Sequence, residues 1–135
     1  MLKKFMIIAA IGIGGMLFLK DFLGTEKGYE YLVERSDSSD PGLSPTLFYY
    51  MGEWSSFINE PQRAYRCFEV IASTYPKSGR GKIALYRMAV SKEEIGMDRE
   101  AYDIYKRYAE LYPDDVTLGP KVRTKINLFS QRYGS

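Results

Sequence analysis

The sequence predicts an all-α fold in which two helix-turn-helix repeats and a capping helix follow one N-terminal transmembrane helix. Three observations predict this fold. The N-terminal residues include a long uncharged run, a pattern of apolar and small residues recurs 37 positions later, and prolines stand where helices must end. We expect a membrane helix at 1–23, a juxtamembrane segment and linker at 24–44, and a repeat domain at 45–135.

The N-terminal segment opens with Lys3 and Lys4 and then runs from Phe5 to Leu19 without a charge. As a helix this run is about 22 Å long, and extension to Leu23 brings it to about 28 Å, against a hydrocarbon core of about 30 Å. The run also fits the apolar region of a cleaved signal peptide, but no small-x-small cleavage site follows it. We therefore expect an uncleaved anchor, with cleavage as the alternative.

Gly12, Gly14 and Gly15 lie in the middle of this segment, where small residues let the backbone of another helix approach. The alternative is that glycine is simply common in membrane helices. The opening Lys-Lys-apolar pattern is typical of a secretory leader and favours a cytoplasmic N-terminus. We expect a single-pass protein of the bacterial inner membrane, with lipid around this helix and the repeat domain in the periplasm. A cytosolic domain is the alternative.

The first repeat follows a breaker at 36–42, which has the sequence SDSSDPG. Ser44 and Pro45 predict the start of its first helix, because serine caps helices and proline is tolerated in the first turn. This helix ends before Pro61, and a second helix ends at Tyr75, one residue before a proline.

The second repeat has the same arrangement 37 positions later. Its first helix carries Leu85 and Ala89 and closes at Gly96, and we expect Asp98 to cap its second helix. Residues 116–133 predict a final helix that covers the last repeat, as a helical solenoid requires.

Together these residues resemble the tetratricopeptide repeat. The matching positions are Phe48, Met51, Gly52, Ala64, Phe68 and Pro76 in the first repeat, and Leu85, Ala89, Ala101, Tyr105 and Pro113 in the second. The run from Tyr75 to Asp115 is also similar to bacterial cell-envelope repeats, such as those of the Tol-Pal coordinator and the outer-membrane assembly lipoproteins. The resemblance covers about residues 45–133 and implies an α-solenoid that binds other proteins.

Composition excludes most catalytic and metal sites. The chain of 135 residues has no histidine and one cysteine, which excludes a histidine base, an internal disulfide and a four-cysteine zinc site. Cys67 lies on a packed helix, and the turn at 79–82 lacks the Gly-Lys-Ser/Thr ending of a phosphate loop. We interpret the acidic pairs at 93–94 and 114–115 as solvated. We expect no enzyme activity, no cofactor, no metal and no small-molecule substrate.

Charge is arranged in blocks, although the total is only +2. Residues 63–92 hold seven basic side chains and one acidic, whereas residues 93–115 hold eight acidic and three basic. Such blocks either attract a charged partner or pair with each other between neighbouring helices. The even total and the acidic block disfavour nucleic acid as a partner.

Tyrosine is abundant, with 12 residues, and exposed tyrosine beside arginine is typical of protein interfaces. The candidate partner-binding residues are Tyr49, Tyr50, Tyr86, Arg80, Lys82 and Arg87; the alternative is that the tyrosines are half-buried repeat core. We expect a non-enzymatic, membrane-anchored interaction module, an accessory or scaffolding subunit that binds other protein subunits of a membrane or envelope complex. The alternative is a transient receptor for peptides or clients in envelope biogenesis or protein transport.

Overall fold

The computed structural model describes residues 2–36, 39 and 42–134, of which 16–21 are described by their backbone alone. These residues form seven helices and no strand: α1 (Leu2–Leu23), α2 (Glu26–Arg35), α3 (Leu43–Phe57), α4 (Pro61–Thr74), α5 (Gly81–Ile95), α6 (Asp98–Leu111) and α7 (Gly119–Tyr133). From α3 to α7, each helix packs chiefly on its neighbours in the chain, which confirms the predicted all-α repeat. Residues 37, 38, 40 and 41 of the predicted breaker lie outside the described residues.

Helix α1 leaves most of its surface exposed. Every side chain described between residues 2 and 15 is exposed, and Phe5 and Ile8 are about 70% accessible (75% and 69%). A Cβ added at Gly12, Gly14 or Gly15 would meet no atom within 4 Å, so their predicted contact with another helix stays a prediction. Within the described part of the chain, no helix combines the length and apolar character needed to cross a membrane, and the predicted span at 1–23 is unsupported.

Helix α2 turns back from the end of α1 and packs on the repeats. Thr25 caps it, because the Gly28 backbone N–H donates to Thr25 Oγ1 at 3.1 Å. A Cβ on Gly28 would lie 1.8 Å from the carbonyl oxygen of Phe22, so only glycine permits this close turn. Leu32 of α2 is buried in the core shared with the repeats. The segment at 24–44, predicted to be a juxtamembrane linker, therefore contributes a helix to the fold.

The two repeats share one core, in which the predicted signature residues of the helices are buried. These residues are Phe48, Met51, Gly52, Ala64, Phe68, Leu85, Ala89, Ala101 and Tyr105. Pro76 and Pro113 are exposed and follow the ends of α4 and α6, where proline stops a helix from continuing. The alternation of large and small buried residues sets the spacing between paired helices.

The two residues predicted to cap helices at their N-termini, Ser44 and Asp98, do not occupy the N-cap positions. Helix α3 begins at Leu43 with Gly42 as its N-cap residue, because the Thr46 backbone N–H already donates to the Gly42 carbonyl oxygen, and Ser44 lies inside the first turn. Helix α6 has Met97 as its N-cap residue, and no side chain supplies a capping hydrogen bond there. The predicted end of α5 is confirmed, since Gly96 adopts a φ of 90° at the C-cap.

The final helix begins three residues later than predicted, at Gly119. The carboxylate of Asp115 explains this start, because its Oδ2 accepts the backbone N–H groups of Leu118 and Gly119 at 2.9 and 3.0 Å. These bonds hold residues 115–118 in a turn that satisfies two donors at the helix N-terminus.

Candidate functional site

One group of predicted partner-binding residues lies together at the boundary between the two repeats. The guanidinium of Arg80 lies 4.4 Å from the ring centroid of Tyr49 and 5.3 Å from that of Tyr50. Its Nε also donates to Thr46 Oγ1 at 3.4 Å. Tyr50 is 53% exposed, whereas Tyr49 is half-buried with its ring against Phe68. Tyr49, Tyr50 and Arg80 thus form a cation–aromatic patch that a partner can reach.

The other predicted residues make contacts inside the domain. Lys82 Nζ lies 2.9 Å from Asp115 Oδ1, and Arg87 Nε lies 2.7 Å from Glu53 Oε1. Tyr86 is half-buried, with its ring centroid 6.1 Å from that of Tyr105. An acidic partner would have to compete with these ion pairs. Partner contact by these residues stays a prediction.

The charge blocks pair with acids on neighbouring elements. Five of the seven cations between residues 63 and 92 make ion pairs within the chain: Arg63, Arg66, Lys82, Arg87 and Lys92. Two of them, Lys82 and Lys92, pair with acids of the 93–115 block. Of the two sequence alternatives, the structure favours internal complementarity for most of the basic block.

An apolar groove that the sequence pattern does not indicate lies where α1 ends beside α3. It has a volume of about 610 Å³ and is lined by Leu23, Leu47, Tyr50, Glu53, Trp54 and Phe57. The Trp54 and Phe57 ring centroids are 5.4 Å apart, and Phe57 is 79% exposed. Four of these residues recur at i, i+3, i+7 and i+10 along α3, which is the spacing of one helix face. We call this feature the α1–α3 groove.

Two tyrosines of the second repeat bind carboxylates inside the domain. The Tyr105 hydroxyl donates to Glu93 Oε2, and the Tyr108 hydroxyl donates to Asp115 Oδ2 at 2.5 Å. Burial, followed by the hydrogen bond to the carboxylate, raises the pKa of both tyrosines. The interpretation of Glu93 and Asp115 as solvated acids is therefore wrong, because each carboxylate also pairs with a lysine.

Nucleophilic and metal chemistry find little support in the described residues. Burial raises the pKa of the Cys67 thiol to about 12, so the reactive thiolate is scarce at neutral pH. The described residues contain no group of three or more cysteine and acidic side chains placed to hold a metal ion.

Comparison with known proteins gives a family match for the second repeat. Residues 83–115, which span most of α5, all of α6 and the turn after it, match the family model described as tetratricopeptide repeat. Tetratricopeptide repeats generally mediate protein–protein interaction and are typically non-catalytic. No curated protein and no solved structure matches the chain. The similarity to bacterial envelope repeats stays a prediction.

Proposed function

We propose that this protein is a non-enzymatic interaction module, an accessory or scaffolding subunit of a larger membrane or envelope complex. The proposal depends on one observation: a tetratricopeptide-repeat domain carries a helix, α1, whose described side chains from residue 2 to residue 15 are all exposed and mostly apolar. Exposed apolar surface of this extent is typical of sites that contact a membrane or another protein.

A lipid bilayer is the environment that best matches the exposed apolar side chains of α1. Phe5, Met6, Ile8 and Ile11 are each at least 63% exposed, and successive residues of a helix point in directions about 100° apart, so these four lie around the whole helix. An apolar helix surface that faces all directions needs an apolar environment on all sides, which a one-sided groove of a partner does not supply. Lys3 and Lys4 before this run support a cytoplasmic N-terminus at the bacterial inner membrane and a periplasmic repeat domain.

A network of arginines holds the repeats against the turn that follows α1. Arg63, with a side chain only 8% exposed, donates from Nε to Glu26 Oε1 at 3.2 Å and from Nη1 to the Gly24 carbonyl oxygen at 2.9 Å. Arg66 Nη2 reaches the same Glu26 oxygen at 2.5 Å. Charged hydrogen bonds of this kind fix orientation as well as distance. A fixed junction between the repeats and the turn after α1 is expected of a scaffold more than of a receptor on a flexible tether.

Native extraction tests the scaffold. The full chain, tagged after Ser135, is released from membranes in mild detergent and separated by size. We expect it to migrate with a larger assembly in stoichiometric amount, and a variant without residues 2–23 to leave the membrane fraction. Migration of the full chain as a lone small species would contradict the scaffold and favour the transient receptor. A second test fuses, after Ser135, a reporter that works only in the cytoplasm. Activity of this reporter would contradict the periplasmic location.

The second candidate is a transient peptide or client receptor, and the exposed Tyr50 beside Arg80 favours it. Arginine and tyrosine together are common at binding hot spots. This candidate predicts that client binding weakens in salt and is lost in Arg80→Ala, whereas assembly of the scaffold would not depend on this patch.

A further inference from the structure

We propose that the α1–α3 groove is a second lipid-contact surface, by which the repeat domain lies on the bilayer at the boundary between headgroups and acyl chains. This inference rests on the proposed anchoring by α1. It adds a contact made by the repeat domain itself, through Leu47, Tyr50, Trp54 and Phe57 of α3.

The groove is continuous with the apolar helix. Leu23 is the last residue of α1, and its side chain lines the groove together with α3. The sequence places the charged residues Lys20 and Asp21 in the last turn of α1, and charged residues of membrane-embedded helices lie preferentially near the headgroups. The groove therefore opens at the level where α1 leaves the hydrocarbon.

The residues that line the groove suit this level. Tryptophan and tyrosine concentrate at membrane interfaces, because their rings are apolar and their N–H and O–H groups remain hydrated. Trp54 and Tyr50 stand on the same face of α3 as Phe57, the most exposed aromatic side chain of the described residues. One helix face thus presents three aromatic rings beside the end of the apolar helix.

Charge does not oppose contact with lipid. Glu53 is the one charged residue among those that line the groove, and Arg87 pairs with its carboxylate at 2.7 Å. At the opposite end of the stack, the described residues of α7 expose polar and charged side chains such as Lys121, Thr124 and Gln131. The apolar end of the repeat stack is the end nearest α1, as an interfacial orientation requires.

Trp54 is the only tryptophan in the chain, so its fluorescence reports on the groove without any labelling. The full chain is incorporated into phosphatidylcholine–phosphatidylglycerol vesicles that contain lipids with a quencher either near the headgroup or at the acyl end. We expect Trp54 to be quenched at least about twofold more by the shallow quencher, as interfacial tryptophan is. Flotation of the vesicles measures binding of the chain in the same samples.

The matched control moves the tryptophan to the far end of the stack. In the double variant Trp54→Phe and Leu128→Trp, the new ring is at a position of α7 that is 47% exposed. We expect this variant to float with the vesicles and its fluorescence to be unaffected by either quencher. Equal quenching of both tryptophans would overturn the proposal, because it would show that lipid contact is not specific to the groove.

The other outcomes separate the contact of the groove with lipid from the anchoring by α1. A chain that floats while Trp54 is unquenched by lipid and open to acrylamide overturns the groove contact and leaves the anchoring by α1 intact. A chain that floats while Trp54 is shielded from both lipid and acrylamide shows that a second copy or a partner helix covers the groove, and also overturns the proposal. A chain that does not float contradicts the anchoring, and the groove contact fails with it.

Discussion

The two repeats share a backbone plan but differ in what fills the crossing between their helices. In α3 and α4 the ring of Phe68 lies against Gly52, where a Cβ would come within 2.7 Å of the ring carbon Cζ. The residues 37 positions later are Tyr105 and Ala89. The second crossing therefore accommodates a methyl group and a hydroxyl, and this hydroxyl donates to Glu93.

The turns after the two repeats also differ, in the hydrogen bonds that they make. After the second repeat, Asp115 accepts the Tyr108 hydroxyl and the backbone N–H groups that begin α7. The corresponding residues of the first repeat are Ser78 and Ile71. The Ser78 hydroxyl oxygen is buried and has no hydrogen-bond partner among the described residues. The first turn lacks the carboxylate that orders the second.

This difference shows how one repeat geometry accommodates two kinds of interior. In the second repeat a carboxylate accepts each buried tyrosine hydroxyl, and in the first repeat the same positions hold the apolar residues Phe68 and Ile71. The first repeat should therefore be most sensitive to changes in side-chain volume. The second should also respond to the loss of a hydrogen bond and to acid.

Truncation of the ring at the first crossing has the largest expected effect. Phe68→Ala removes a fully buried ring and leaves a cavity, so we expect the free energy of unfolding to fall by about 3–5 kcal/mol. Denaturant unfolding of the full chain, followed by circular dichroism, measures the loss. Phe68→Leu, which keeps most of the volume, is the control and should lose much less. Similar losses in both variants would mean that ring volume does not stabilise the first repeat.

A methyl group at the first crossing should also destabilise the fold. Gly52→Ala places a Cβ 2.7 Å from the Phe68 ring, and such overpacking costs about 1–3 kcal/mol. The matched variant is Ala89→Gly, for which loss of a methyl group and of helix propensity costs about 1 kcal/mol. The same unfolding measurement compares the two. If Gly52→Ala is neutral or stabilising, the ring moves freely and the close contact is not a constraint.

The periodic part of the fold was predictable from the sequence, but the groove was not. The 37-residue recurrence placed Gly52 and Phe68 among the packed positions of the repeat, because core residues of a helical repeat must recur with its period. Helix α3 carries apolar residues on two faces, one with Phe48 and the other with Trp54. Periodicity alone does not show which of two apolar faces is inside. The sequence does not show where α1 lies relative to α3, and it is this position that leaves the face with Trp54 open.

Hydrogen bonds between distant positions also could not be predicted from the sequence. Asp115 is adjacent to another acid, so the pair looked solvated, yet its side chain is only 5% exposed and pairs with Lys82, 33 positions away. Glu26 binds Arg63 across 37 positions in the same manner. Such partners are set by how the helices stack, and the local pattern around either acid carries no sign of them.

Loss of a hydroxyl from the second repeat should have a smaller effect. Tyr105→Phe keeps the ring and removes the bond to Glu93, which still pairs with Lys125, so we expect a loss of about 1 kcal/mol. A double-mutant cycle with Glu93→Ala measures the coupling. If Tyr105→Phe costs as much in the Glu93→Ala background as in the wild type, the hydroxyl does not act through this carboxylate.

The smallest effect concerns acid, and of the turns that follow the two repeats only the second should show it. The Tyr108 hydroxyl and then Lys82 hold the pKa of Asp115 well below its ordinary value of 3.8. Because the pKa is lowered in the folded state, the stabilisation by this carboxylate is complete above the ordinary value and is lost as pH falls below it. Asp115→Asn should therefore flatten the decline in unfolding free energy on the acid side of pH 4.

The control for this experiment is the second carboxylate whose pKa is lowered. Arg66 and Arg63 lower the pKa of Glu26, so Glu26→Gln should flatten the acid decline in its own right. Because Glu26 and Asp115 lie on separate elements with different partners, the two effects should add in the double variant. Stability profiles measured by urea unfolding between neutral pH and pH 3 give the slopes. If Asp115→Asn keeps the wild-type slope, the Tyr108–Asp115 bond does not depend on ionisation, and the turn after the second repeat does not make the fold sensitive to acid.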